Sequence, residues 1–207
     1  MKNKLLLFLL CFLFYSVGYS QVGGQNIYEF LNQAPSARIS ALGDYVVSVY
    51  DDDAVLALLN PAALNESSNT HLNFNQTFHF TDIRNGYINY AHHIKKHSLS
   101  LHGGVQYINY GRFDLADEFG QISGEFQAGE QALVLGASKT LNENYSIGTN
   151  FKAVFSSFES YRSSGLAVDL GGMYRKEESR FSAGFVLRNI GTQLTTYSGN
   201  RELLPFD

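Results

Sequence analysis

From Thr70 onward the sequence repeats one pattern, apolar and polar residues taking turns, and that pattern narrows the folds open to the chain. In the run Leu72 to Phe80, positions 72, 74, 78 and 80 are apolar while 73, 75, 77 and 79 are polar. Successive side chains of a strand point to opposite faces, so this segment has one greasy face and one wet face. The pattern returns at 99–107, 145–155, 166–170 and 181–188, and more weakly at 86–95 and 130–140, which makes seven predicted strands. Strands of about nine to eleven residues cross a bilayer at a tilt. The expected fold is therefore all-β, a transmembrane antiparallel β-barrel, with a soluble β-sandwich as the competitor. The strands are long for a sandwich, where about five or six residues is usual. Aromatic residues near the predicted strand ends (Tyr87, Tyr90, Tyr107, Tyr110, Tyr145, Phe155, Phe158, Tyr174) suggest an interfacial girdle.

Composition agrees with that preference. Of 207 residues 14% are aromatic and only 16% charged, against about a quarter in soluble domains. A net charge of −4 provides no basic footprint, so nucleic acid is not an expected partner. Met1 to Ser20 reads as a secretory signal peptide: Lys2 and Lys4, an apolar run from Leu5 to Val17, then Gly18-Tyr19-Ser20 as a small-x-small cleavage site. Cys11, the one cysteine, would leave with it, so an exported mature chain would form no disulfide.

Connections and breakers mark the strand ends. Lys95 to His97, Leu141 to Asn144 and Lys176 to Glu178 read as short turns, whereas Gly111 to Ala128 reads as the longest loop and Glu159 to Ser164 as an intermediate one. Short and long connections alternate in outer-membrane barrels, although the short Asp82 to Asn85 falls on the long-loop side. Pro35, Pro61 and Pro205 all avoid the predicted strands. Gly103, Gly104, Gly136, Gly148, Gly171, Gly172 and Gly184 lie within them, where they permit curvature and the close approach of an internal plug.

The stretch 23–64 does not alternate, and residues 21–69 are expected to form a small helical hatch ahead of a barrel portion at 70–207. Ser36 is placed to cap a short helix that Gly43 ends, and Asn60-Pro61-Ala62 stops a second apolar run. Asp51-Asp52-Asp53 lacks the spacing of a calcium loop, with Leu56 where the glycine should stand, and fits a turn or a helix N-terminus. His92 and His93 would point to opposite faces of a strand and cannot chelate together. Lys152, Asp169 and Arg188 fall on the polar face and are expected to pair across strands or contact the plug. No serine sits in a nucleophile elbow, so no enzyme activity, cofactor or metal is expected.

Several motifs carry a family resemblance: Gly23-Gly24, Tyr28 to Leu31, Ser36-Ala37-Arg38, Ala41-Leu42-Gly43, Asp51 to Asp53 and Asn60-Pro61-Ala62 in the hatch. Tyr107 to Phe113, Asp117 to Gly120, Ser164 to Gly171 and Leu204-Pro205-Phe206 extend it through the wall. Together they resemble the PorQ family, outer-membrane proteins of the type IX secretion system of Bacteroidota. The resemblance implies a FadL-like barrel with an N-terminal hatch, no enzyme activity, and a place in a cell-surface attachment complex. Its partners would be outer-membrane lipid and a PorZ-like, lipopolysaccharide-presenting surface protein, with PorU-like and PorV-like components. A fatty-acid-transporter type channel for hydrophobic small molecules is the alternative. Seven strands do not make the even number of a usual bacterial barrel, so the chain is expected to be an N-terminal portion of a larger one. Within the longest predicted loop, Phe113, Asp117, Glu118, Phe119 and Phe126 are the candidate partner-binding residues.

Overall fold

Each alternating segment forms a strand, and the strands pair in chain order. The computed structural model describes residues 28–198 apart from 118, 177, 179 and 180, so the expected signal peptide, Gly23-Gly24, Glu118 and Leu204 to Phe206 lie outside the described residues. The strands are β1 (Leu72–Phe78), β2 (Arg84–Ile94), β3 (Leu99–Ala116), β4 (Ile122–Thr140), β5 (Tyr145–Phe158), β6 (Tyr161–Lys176) and β7 (Phe181–Ser198). They make one antiparallel sheet in which β1 and β7 are the edges. Among the described residues the sheet is not closed.

The strands run well past the predicted limits. Gly111 to Ala128 is not a loop but the end of a hairpin, with pairing from Arg112↔Gln127 to Ala116↔Ile122 and the Asp117 amide donating to Gln121 O at its tip. Period two breaks there because of a bulge between Asn109 and Arg112, where Gly111 takes φ +87°. A bulge shifts the phase of the alternation, so the far half of the strand looks like a loop in sequence. Glu159 to Ser164 is likewise reduced to a turn at 159–160. The expected alternation of long and short connections is therefore absent among the described residues.

One face of the sheet is apolar and open. Phe74, Leu133, Leu135, Ile147 and Phe185 are exposed on it, at 66% for Leu135. The other, inner face is covered by residues 28–69. There a helix α1 (Ala37–Ala41) and short 3-10 turns at Glu29–Asn32, Ala54–Leu58, Pro61–Ala63 and Glu66–Ser68 pack against the strands. Ser36 caps α1 by accepting from the Ile39 amide at 3.3 Å, and Gly43 follows with φ +93°. Leu56, Leu58 and Leu59 are fully buried, each contributing about 1.5–3 kcal/mol.

This packing corrects two expectations. The inner face is not uniformly wet, because Tyr87, Ile108, Ala132, Val134, Val154 and Met173 join the hydrophobic cluster beneath the N-terminal segment. Val134 and Ala132 are buried while Leu133 and Leu135 are exposed, so β4 is apolar on both faces and its alternation is weak for that reason. Tyr87 is no girdle residue: it is completely buried in this cluster.

Candidate functional site

The 3-10 turns are too short to satisfy all of their own carbonyls, and orphan carbonyls at helix ends need donors. The inner face supplies them. Asn89 donates to Ala54 O (3.2 Å), Gln106 to Phe30 O (3.0 Å), Asn150 to Ala57 O (2.8 Å), Ser146 to Ala62 O (2.7 Å) and Arg188 to Leu31 O (3.1 Å). Polar wall residues thus hold the N-terminal segment by its backbone. Tyr28 adds a side-chain bond to Ser163 at 2.6 Å.

Asn60-Pro61-Ala62 is the tightest of these contacts. Asn60 is 1% exposed; its Oδ1 accepts from the Ala62 amide at 3.0 Å, and its Nδ2 donates to Val47 O at 2.8 Å. The turn rests on glycines of three strands. A Cβ at Gly148 would overlap Pro61 and Ala62, one at Gly171 would overlap Asn60, and one at Gly184 would overlap Val47. The expected close approach of a plug to strand glycines is thus observed at these positions.

Arg38 and the acidic run tie the N-terminal segment to itself. Asp53 caps the Ala54–Leu58 turn through the Val55 amide (3.0 Å), and Arg38 bridges Asp53 (3.1 Å) and Asp51. Burial alone would push the Asp51 carboxyl up, but the hydrogen bonds from Arg38 and from the Asp53 amide, with the guanidinium charge, hold it below the ordinary carboxylate value. Accepting from Arg38, the two carboxylates push its pKa up in turn.

Across the sheet runs a buried polar chain. Lys152 and Asp169 are both 0% exposed and pair at 2.8 Å. Asp169 also accepts from Asn150 (3.0 Å) and from the Asn189 amide (2.8 Å), and Asn150 Oδ1 faces His102 Nε2 at 2.8 Å. The side chains of His102 and Asn150 meet over Gly136, which lies between them in register and leaves the room. Lys152 and Asp169 therefore pair across strands, and Arg188 contacts the N-terminal segment through Leu31 O, the two outcomes expected of these residues. The amide donors Asn89, Gln106 and Asn150 escaped sequence reading; their only signal was polarity at inner-face positions.

No family model matches the chain, and no curated protein does. The site must speak through its geometry. His93 is buried beside Ser100 (2.7 Å) while neighbouring His92 is exposed, the opposite-face arrangement expected. Among the described residues no group of histidines and acids is arranged to hold a metal, and no helix is long and apolar enough to cross a membrane.

The described candidate partner residues, Phe113, Asp117, Phe119 and Phe126, sit on the β3–β4 ribbon beyond the bulge. Pairing with β2 ends at Asn109 and with β5 at Ala128, so Arg112–Ala116 and Ile122–Gln127 pair only with each other among the described residues. Phe113 and Phe126 are brought together, their rings stacked at 5.4 Å. Asp117 Oδ1 accepts from the Phe119 and Gln121 amides (2.9 and 2.8 Å), so its carboxylate folds the turn, and Phe119 stands out at the tip, 88% exposed.

Proposed function

We propose that the chain is a non-enzymatic outer-membrane β-barrel component of the type IX protein secretion system, docking a surface partner of the attachment complex. The observation that carries this reading is the inverted polarity of the sheet: large apolar side chains on the open face, and Asn, Gln, Lys and Asp on the covered one. Such a sheet suits lipid outside and a plugged lumen inside. The strands, 14 to 19 residues from β3 to β7, exceed what a bilayer needs and leave length to project beyond it. Of the motifs of the PorQ resemblance, Asn60-Pro61-Ala62 is where the N-terminal segment packs on strand glycines, and Ser36-Ala37-Arg38 is cross-linked within that segment.

Docking is favoured over a FadL-like channel by the wall-to-backbone hydrogen bonds, because a channel would require the hatch to give them up. The ribbon with Phe113, Phe126 and Phe119 is the partner surface in this reading. Affinity purification from outer membranes tests it: recovery of a PorZ-like protein, lost when the ribbon tip is shortened, is the expected result. Loss of labelled fatty-acid uptake on deletion, with type IX secretion intact, would sink it in favour of the channel.

A further inference from the structure

Arg188 is a half-buried cation that no carboxylate among the described residues meets in an ion pair. It lies on the inner face of β7, and its Nε has no hydrogen-bond partner, while one Nη donates to Leu31 O. The nearest candidate counter-charge is already taken: Asp169 accepts from Lys152 and Asn150 on one oxygen and from the Asn189 amide on the other. No ion pair among the described residues includes Arg188. Beside it is a cavity of about 550 Å³, which Arg188 lines together with Tyr28, Asn32, Asn189, Thr192 and Gln193, and among the described residues no acid contributes to that lining. The volume is in the range of small-molecule sites. A charge partly withdrawn from water is stabilised by an opposite one, and a guanidinium presents a planar fork suited to two adjacent oxygens.

We infer that this cavity is a binding site for a small oxyanion, such as a carboxylate or a phosphate monoester, held by Arg188. The Lys152–Asp169 pair contributes no net charge, so Arg188 leaves the inner face locally positive, and the bound anion neutralises it. Asn32 and Asn189, joined at 2.9 Å, lie on the side where the N-terminal segment meets β7. Occupancy therefore couples to the seating of that segment. The site is independent of the docking assignment, because it rests on the inner face alone.

The test is isothermal titration of the purified full chain in micelles with inorganic phosphate and, separately, acetate, at constant ionic strength set with chloride. Saturable binding of at least one probe is expected. Arg188→Gln should weaken it about tenfold or more, the scale of a lost charge-assisted hydrogen bond. Ala167→Leu, which fills the cavity from the facing strand and keeps Arg188, should abolish it and decides the matter if the first variant does not fold. A stronger response to phosphate points to a phosphorylated ligand, and to acetate, a carboxylate; either supports the site. Absence of saturable binding for both probes, or unchanged affinity in either variant, overturns it.

Discussion

The wall of the sheet and the ribbon beyond Gly111 use the same two strands with opposite polarity. In the wall, Leu101 of β3 and Leu133 and Leu135 of β4 point to the open face and Ser100, His102 and Gln106 of β3 point inward. Past the bulge, the register puts Phe113 and Phe126 on the inward side, while Arg112, Asp114 and Glu125 take the open side, with Arg112 and Glu125 3.6 Å apart. A continuous strand reverses its amphipathicity only if its surroundings change. In the outer-membrane reading proposed above, the difference marks where the apolar medium outside the wall gives way to water: at the Asn109–Arg112 bulge.

The largest predicted effect lies on the inner side of that comparison. Lys152→Met leaves Asp169 buried at 0% exposure without its cation, and should destabilise by about 3–5 kcal/mol in urea titration. A loss below about 1 kcal/mol would mean that water reaches the pair. Next comes the open face. Leu133→Arg in lipid vesicles should cost about 2–4 kcal/mol, whereas Glu125→Arg on the ribbon should cost about 1 kcal/mol or less. Equal costs would erase the distinction between wall and ribbon. Truncating one ring of the stacked pair, Phe113→Ala, should loosen the ribbon by about 0.5–1.5 kcal/mol, read as faster amide exchange at Phe126 with the wall unaffected.

The smallest effect concerns the Arg38 cross-link. Its carboxylate partner Asp51 has a lowered pKa in the folded state, so the associated stability is present above the unfolded value of about 4 and is lost as pH falls through the lower folded value. The pair is part-exposed, and Arg38→Ala should cost no more than about 1 kcal/mol at neutral pH. The variant and the parent should then converge in stability on acidification. A difference that persists at low pH would locate the contribution in packing instead.

Much of this was legible from residues alone, because period two dictates which face each side chain takes. The existence of all seven strands, the capping role of Ser36, the opposite directions of His92 and His93, and the glycines under a plug follow from that rule and from turn chemistry. The strand ends were not legible. Gly111, Gly120 and Gly124, with intervening acids, have the composition of a loop, and the phase shift at the bulge hides the alternation that continues beyond it. The inner hydrophobic cluster was hidden for a related reason: β4 is apolar on both sides, so its pattern carries little periodic signal. The hatch-holding amides Asn89, Gln106 and Asn150 could be identified only once the carbonyls opposite them had positions.

The central claim is that the open face meets lipid and the ribbon meets water. The sequence has no tryptophan, so single-tryptophan variants report without background. Leu135→Trp on the open face and Phe119→Trp at the ribbon tip, each reconstituted in vesicles, can be challenged with brominated lipid and with aqueous iodide. Strong quenching of the first by brominated lipid and of the second by iodide is the predicted result. Iodide quenching of both, with no response to brominated lipid at position 135, would contradict the account.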